Sequence, residues 1–337
     1  MLAYDADLEL FRDNFKRFMS EHIAPHYEQW EREGLMPRSV WTLLGENGYL
    51  CIDVPEEYGG YGVPTHYSLM LVEESARAGY CALSTGISCH SEIAAPYIQH
   101  IGTAEQKQYW LPKMVSGEAV GAIGMTEPGA GSDLQAMRTS AILQGDHYIL
   151  NGSKTFISNG QHADVVVLAV KTDPQARAKG VSLMLVDTHL ECFKKGTNLD
   201  KIGLHSQDTS ELFFDNVKVP KDQLLGNAGS GFAYLMQELP RERTAIASTA
   251  LGAIRGAIDL ATAYVKERQA FGQVIGQFQN TRFVLAQAKI DELATAAFYN
   301  QNVALYNEGK LDVETAAALK SFSTDMQMKV ADNLLQL

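Results

Sequence analysis

Leu8, Phe11, Phe15 and Phe18 recur three or four positions apart, with Asp, Arg and Lys between them. That spacing predicts an opening amphipathic helix whose aromatic face belongs to a core. Helical spacing returns over residues 40–47, 67–77 and 87–100. Thr103-x-x-Gln106 then forms a capping box, starting a helix expected to end near Gly117. Glu56-Glu57-Tyr58-Gly59-Gly60-Tyr61-Gly62 interrupts the series as a loop, because so dense a run of glycines cannot hold a helix. Residues 1–118 therefore read as an α-helical domain.

After Gly117 the period changes. Short segments rich in β-branched and aromatic residues occupy 148–150, 154–157, 165–170, 181–186 and 212–219, with turn chemistry such as Asn151-Gly152 between the first two. The spacing predicts an antiparallel sheet or barrel over residues 119–226. No intervening stretch is long enough for helical crossovers, which disfavours a doubly wound parallel sheet. Gly226-Asn227-Ala228-Gly229-Ser230-Gly231 marks the next boundary. Residues 227–337 return to helical spacing: a helix over 231–268 with a break at Pro240, a second over 278–307, and a third from Asp312 as N-cap to the end. Ala245, Ala247, Ala250, Gly252 and Gly256 line the first of these, a surface suited to close helix packing or to a ligand. Leu334-Leu335-Gln336-Leu337 carries no stop signal, so this bundle is expected to be truncated at Leu337. The predicted class is α+β and multidomain: helical, then β, then helical bundle.

Composition adds mainly exclusions. A chain of 337 residues with 46% apolar residues supports two or three cores. The 40 acidic and 28 basic residues give a net charge of −12 spread along the chain, which excludes nucleic acid as a main partner. Cys51, Cys81, Cys89 and Cys192 lack any C-x-x-C spacing, so neither zinc nor a redox dithiol is indicated, and buried thiols in a reducing compartment are expected. His22 and His26 stand four apart, but Pro25 disturbs the helix between them and no metal is expected there. No apolar run reaches bilayer length. Asp5, Asp7 and Glu9 make the start too acidic for a targeting peptide. The expected compartment is the cytoplasm, or the mitochondrial matrix where a transit peptide has been removed.

Chemistry concentrates in the loop Met125-Thr126-Glu127-Pro128-Gly129-Ala130-Gly131-Ser132-Asp133, which follows an apolar run over 119–124 where a strand should end. Gly129 and Gly131 are expected to take positive φ and aim N–H groups at an anion, with the Thr126 and Ser132 hydroxyls as further donors. A plain Gly/Pro surface turn is the alternative. Phe156-Ile157-Ser158-Asn159-Gly160 supplies a second polar-aromatic turn one hairpin later. The spacing Gly129-x-Gly131-x-x-Leu134 lacks the third glycine of the dinucleotide fingerprint, which argues against nicotinamide binding in the Rossmann manner. Glu238-Leu239-Pro240-Arg241-Glu242-Arg243-Thr244 reads as a helix start, with Pro240 its first residue. Glu242 is then either an acid favoured by the helix macrodipole or, enclosed by an apolar ligand, a general base. Arg243 is either a surface ion-pair partner or a ligand clamp. Arg268-Gln269-Ala270-Phe271-Gly272 closes that helix with Gly272 as a C-terminal signal, yet Arg268 and Phe271 also suit a phosphate and a purine.

The Thr126-to-Asp133 motif, the Arg268-to-Gly272 stretch with Gln279, and the domain order together resemble the acyl-CoA dehydrogenase family over essentially the whole chain. Gln207-Asp208-Thr209-Ser210-Glu211-Leu212-Phe213-Phe214 and Glu238 to Arg243 look most like its long-chain branch. The resemblance implies FAD-dependent α,β-dehydrogenation of an acyl-CoA, with an electron-transfer flavoprotein as acceptor. It implies that residues 123–132, including Ile123, Met125, Thr126, Gly131 and Ser132, run along the flavin and pyrophosphate. Ser132 and Arg243 would also contact the substrate. Phe156 and Ser158 match positions packing on the isoalloxazine ring. Arg268, Phe271 and Gln279 match a site for the FAD of a neighbouring subunit, implying a homo-oligomer, typically a tetramer. Many members carry the base on a C-terminal loop, at a point after Leu337 here; long-chain and isovaleryl-type members carry it at the position matching Glu242. An oxygen-using flavoenzyme of the same fold and a non-catalytic acyl-CoA-binding protein are the alternative readings.

Overall fold

The computed structural model describes residues 5–337. Asp5 caps helix α1 (Ala6–Phe18), accepting from the N–H groups of Asp7 and Leu8. Phe15 and Phe18 are buried as their spacing predicts. Pro25 does not end the helical path: a π-helical turn (Met19–Ile23) leads into α2 (Ala24–Glu33). Proline removes one N–H and crowds the carbonyl four residues back, and a widened turn just upstream accommodates that crowding. Helices α3 (Ser39–Glu46) and α4 (Thr65–Arg77) fall where the pattern places them. The stretch expected as one helix over 87–100 is α5 (Cys81–Ile87), a π-helical segment (Ser88–Ala94) and α6 (Ala95–Ile101). Both halves of the capping box are made at the start of α7 (Ala104–Val115).

Eight strands form one sheet. They are β1 (Gly121–Gly124), β2 (Ser140–Gln144), β3 (His147–Ser158), β4 (Val165–Lys171), β5 (Val181–Asp187), β6 (Phe193–Asn198), β7 (Thr209–Pro220) and β8 (Leu224–Leu225), in the order β6-β7-β3-β2-β4-β5-β8 with β1 on β4. Segments 148–150 and 154–157 are one strand, so the expected hairpin at Asn151-Gly152 is corrected. Gly152 has φ 139° and the register against β7 shifts there, which makes it a bulge. A long antiparallel ladder with β7 outweighs the local turn preference. Most pairings are antiparallel as expected, but β1 and β2 both pair β4 in parallel. The unexpected edge strand β6, Phe-Lys-Lys-Gly-Thr-Asn, is polar, as edge strands tend to be.

Strands β4 and β5 are buried on both faces, because successive side chains leave a strand on opposite sides. Val165, Val167, Leu183 and Leu185 join a core with Tyr97, Trp110, Leu111 and Met114. Val166, Leu168, Met184 and Val186 join another with Leu150, Leu212 and Phe214.

Contacts divide the chain into two units. The sheet lies in the unit made of Ala24–Pro64 and Gly86–Leu239. The second unit comprises the chain through Ile23, Thr65–Thr85 and Pro240–Leu337. Its helices include most of α8 (Gly231–Glu267), then α9 (Gln279–Asn307) and α10 (Val313–Leu335), with Asp312 capping the last by accepting from Thr315 N–H. Leu69, Ala245, Ala247, Leu251, Tyr299, Val303 and Leu319 form one of its cores. Helix α8 continues through Pro240, which replaces both the expected break and the expected start there. An interior proline costs about 3 kcal/mol, a cost offset here by burial of Leu235 before it and Ala245 and Ala247 after it.

Candidate active site

Strand β1 delivers the chain into the loop over 125–133. A Cβ on Gly124 would lie 2.6 Å from Leu168 Cδ1 and 3.6 Å from Lys154 Cγ, so the backbone crosses the Lys154 stem closely. Glu127 and Ala130 exchange backbone hydrogen bonds of 2.9 and 3.1 Å around Pro128-Gly129. The Glu127 carboxylate turns inward and accepts from Arg138 N–H at 2.6 Å, Thr139 N–H at 3.0 Å and the Lys154 ammonium at 2.8 Å. Lys154 is completely buried and donates also to Met125 O at 3.0 Å. Burial alone would raise the Glu127 carboxyl, but the Lys154 charge and the two backbone donors hold it below the usual carboxylate range. Gly129 and Gly131 do not take positive φ, which corrects the expectation. A Cβ at either would meet nothing within 4 Å, so their faces are open to a ligand. Thr126 is half-buried and Ser132 exposed, with Ile123 and Met125 half-buried behind them.

The loop is laced to β3, where Thr155 N–H donates to Thr126 O at 2.9 Å. The next residue, Phe156, sits in a second register shift at φ 59° with its side chain 67% exposed. A left-handed backbone costs a bulky residue about 1–2 kcal/mol, and such strain clusters at functional sites. Ser158 is half-buried, and its carbonyl accepts from Cys89 Sγ at 3.6 Å. The Asn159 side-chain amide donates to Gly86 O and Gly121 O. His90 completes the bracing of β1: Gly121 N–H donates to Nδ1 at 3.0 Å, and Nε2 donates to Met114 O at 3.0 Å. The start of the loop is thus tied to the β3 segment that carries Phe156 and Ser158, within the sheet unit.

The remaining expected site residues lie in the helical unit. Glu242 is buried, 8% exposed, and lies inside α8. The reading of Glu242 as a first-turn acid favoured by the macrodipole is therefore withdrawn, since that effect fades beyond the first turn. Arg243 is half-buried and donates to Val313 O. Gly272 is not a helix cap: α8 ends at Glu267 and the chain forms a small hairpin, β9 (Gln269–Ala270) and β10 (Gln273–Val274). Phe271 and Gly272, at φ 54° and 78°, are its two turn residues, the geometry of a type I′ turn. Phe271 projects almost wholly into solvent, and Arg268 and Gln279 on either side are exposed too.

The thiol expectation holds in part: Cys51 and Cys89 are buried, Cys81 is half-buried and Cys192 is exposed. The His22 and His26 rings pack on Phe18 and Trp30. Among the described residues no helix is long and apolar enough to cross a membrane. The Glu127–Lys154 pair and His90 were missed by sequence reasoning. The signal available was a lysine within a strand segment, which when buried calls for an acidic partner.

Comparison with known proteins agrees with this architecture. Residues 5–118, 122–217 and 229–337 match the N-terminal, middle and C-terminal domains of acyl-CoA dehydrogenase respectively. The mitochondrial long-chain specific acyl-CoA dehydrogenase of Sus scrofa is 40% identical over 99% of this chain and 78% of its own. An acyl-CoA dehydrogenase structure from Geobacillus kaustophilus superposes with a TM-score of 0.97 at 43% identity, covering 99% of this chain and 88% of that one. A chain in the structure of the electron transferring flavoprotein of Acidaminococcus fermentans superposes with a TM-score of 0.96 at 36% identity, covering 100% of this chain and 88% of that one. The chain belongs to the acyl-CoA dehydrogenase family, whose members are flavoprotein oxidoreductases acting on the CH–CH bond of acyl-CoA.

Proposed function

We propose that this protein binds FAD and dehydrogenates a medium- or long-chain acyl-CoA thioester to the trans-2-enoyl-CoA. The observation that carries this reading is the loop of Thr126 and Ser132 tied to the β3 segment of Phe156 and Ser158. It offers hydroxyl donors, open glycine faces and an aromatic ring held out of its core at the cost of backbone strain. These features fit a large flat cofactor with a pyrophosphate. Ile123, Met125, Thr126, Gly131, Ser132, Phe156 and Ser158 would hold the flavin and pyrophosphate, and Ser132 and Arg243 the substrate. When bound, FAD supplies at flavin N5 the acceptor for the hydride leaving the substrate β-carbon. Glu242 is assigned the α-proton: it is a buried carboxylate, 8% exposed, on the helix segment where the long-chain resemblance puts the base.

Arg268, Phe271 and Gln279 are assigned to a neighbouring subunit's FAD in a homo-oligomer, a tetramer by family resemblance. The near-complete exposure of Phe271 supports that assignment. Electrons leave to an electron-transfer flavoprotein. The domain division is 1–118, 119–226 and 227–337.

Anaerobic addition of a long-chain acyl-CoA is expected to bleach the flavin; no bleaching at any chain length would remove the reading. Glu242→Gln is expected to keep FAD and ligand binding while lowering kcat by about 10²–10⁴-fold. Retained turnover in that variant would place the base elsewhere.

A further inference from the structure

The Lys154–Glu127 pair is an expensive arrangement. The two groups are 0% and 8% exposed, and ion pairs taken out of water lose much of their attraction to desolvation. Apolar replacements in such places are often as stable, so the arrangement calls for a reason other than stability. Its geometry supplies one. The Lys154 stem runs past Gly124 and its ammonium reaches Met125 O and Glu127 Oε1. Glu127 in turn receives Arg138 and Thr139 N–H, tying the chain that follows the loop back to the loop's beginning. One buried cation thus meets the first loop residue through a carbonyl and, through the Glu127 carboxylate, the chain that follows the loop. Two positions further along the same strand is Phe156. The bonds of this cation therefore tie the loop to β3 two residues before the strained Phe156 backbone.

We propose that Lys154 and Glu127 are positioning residues for the cofactor, an internal strut that holds the loop over 125–133 in register with Phe156 for FAD binding. This rests on the FAD reading above and adds to it residues that do not themselves touch the ligand. Removing the ammonium leaves a buried, unpaired carboxylate, whose relief is to turn toward water and take the loop with it. Replacing both partners removes that uncompensated charge, so the double variant should be less impaired than Lys154→Met alone.

The test is the FAD dissociation constant of full-length protein, read by flavin release on ultrafiltration, with far-UV circular dichroism and thermal midpoint beside it. Lys154→Met is expected to weaken FAD binding about tenfold or more while keeping its helical spectrum, and Lys154→Met/Glu127→Gln to recover part of that loss. The control is Arg255→Met, which breaks the ion pairs of a half-buried arginine with the buried Glu73 and Glu292 in the other unit. It should lower the thermal midpoint and leave FAD affinity within about twofold. Folded Lys154→Met with wild-type affinity overturns the proposal, as does an equal loss of affinity in Arg255→Met, which would mean general instability. If Lys154→Met does not fold, Glu127→Gln carries the same test: weakened FAD binding supports the strut and unchanged binding overturns it. Failure of the wild-type protein to bind FAD would instead remove the cofactor reading itself.

Discussion

His90 is fully buried, with one ring nitrogen accepting from Gly121 and the other donating to Met114 O. Burial, helped by the nearby Arg38 charge, pushes its pKa down to about 4, although the bond to Met114 works the other way. The imidazole is therefore neutral in the native state. As pH falls below the ordinary histidine value of about 6.5, the unfolded chain takes up a proton that the folded one refuses, so stability falls. The loss accumulates down to about pH 4 and then levels off, amounting to about 3 kcal/mol from this one group. His90→Gln keeps a donor and an acceptor but does not titrate. Its thermal midpoint should fall less steeply than the wild type's between pH 6.5 and 4.5; parallel curves would refute the assignment. None of this was legible in the chain, where His90 is one polar residue in a helical run. The pairing of Glu127 with Lys154 escaped for a similar reason: a partner 27 positions away is set by how the loop lies against β3, which one sequence does not display. Glu242 was readable as either a helix-start acid or a general base, the family resemblance favoured the base, and its burial came from the structure.

At the level of elements, periodicity located nearly every long helix and the buried strands, because burial on one face or both writes itself directly into the pattern. It failed where a local rule met a stronger long-range one. Asn151-Gly152 has turn chemistry, but the ladder to β7 absorbs it as a bulge, and Pro240 is carried inside α8 by the burial around it. The alanine and glycine lining of α8 was legible as a packing surface, and the reason is now specific. A Cβ on Gly252 would lie 2.2 Å from Glu73 O, and one on Gly256 2.3 Å from Arg77 O, both backbone atoms of α4 that cannot swing aside. Gly252→Ala gains about 1 kcal/mol of helix propensity. The overlap costs more, because α4 must move bodily, and overpacking of this kind typically costs 1–3 kcal/mol. Gly252→Ala should therefore lower the thermal midpoint despite its better propensity, and an unchanged or raised midpoint would show that α4 yields.

For the whole molecule, the order of helical, β and helical regions was readable from the change of period at Gly117 and at the glycine-rich loop before α8. The grouping of the first helix and of Thr65–Thr85 with the C-terminal helices was not, since periodicity tells which face is buried and not against what. The same pattern leaves apolar surface exposed among the described residues. Phe283, Ile290 and Leu293 fall along one side of α9 and are each more than half exposed. Apolar side chains aligned in this way mark an association surface more often than isolated ones do, which supports the homo-oligomer proposed above. Charges placed on that side should oppose association without touching Glu242 or the loop over 125–133. Phe283→Glu/Ile290→Glu is expected to sediment as a smaller species than the wild type, approaching the 37.0 kDa chain, and to lose FAD more readily because Arg268, Phe271 and Gln279 then face water. Wild-type protein that sediments as a monomer would remove the oligomer from the proposal. A variant that dissociates yet retains FAD fully would instead separate assembly from cofactor binding, and so take Arg268, Phe271 and Gln279 out of the site.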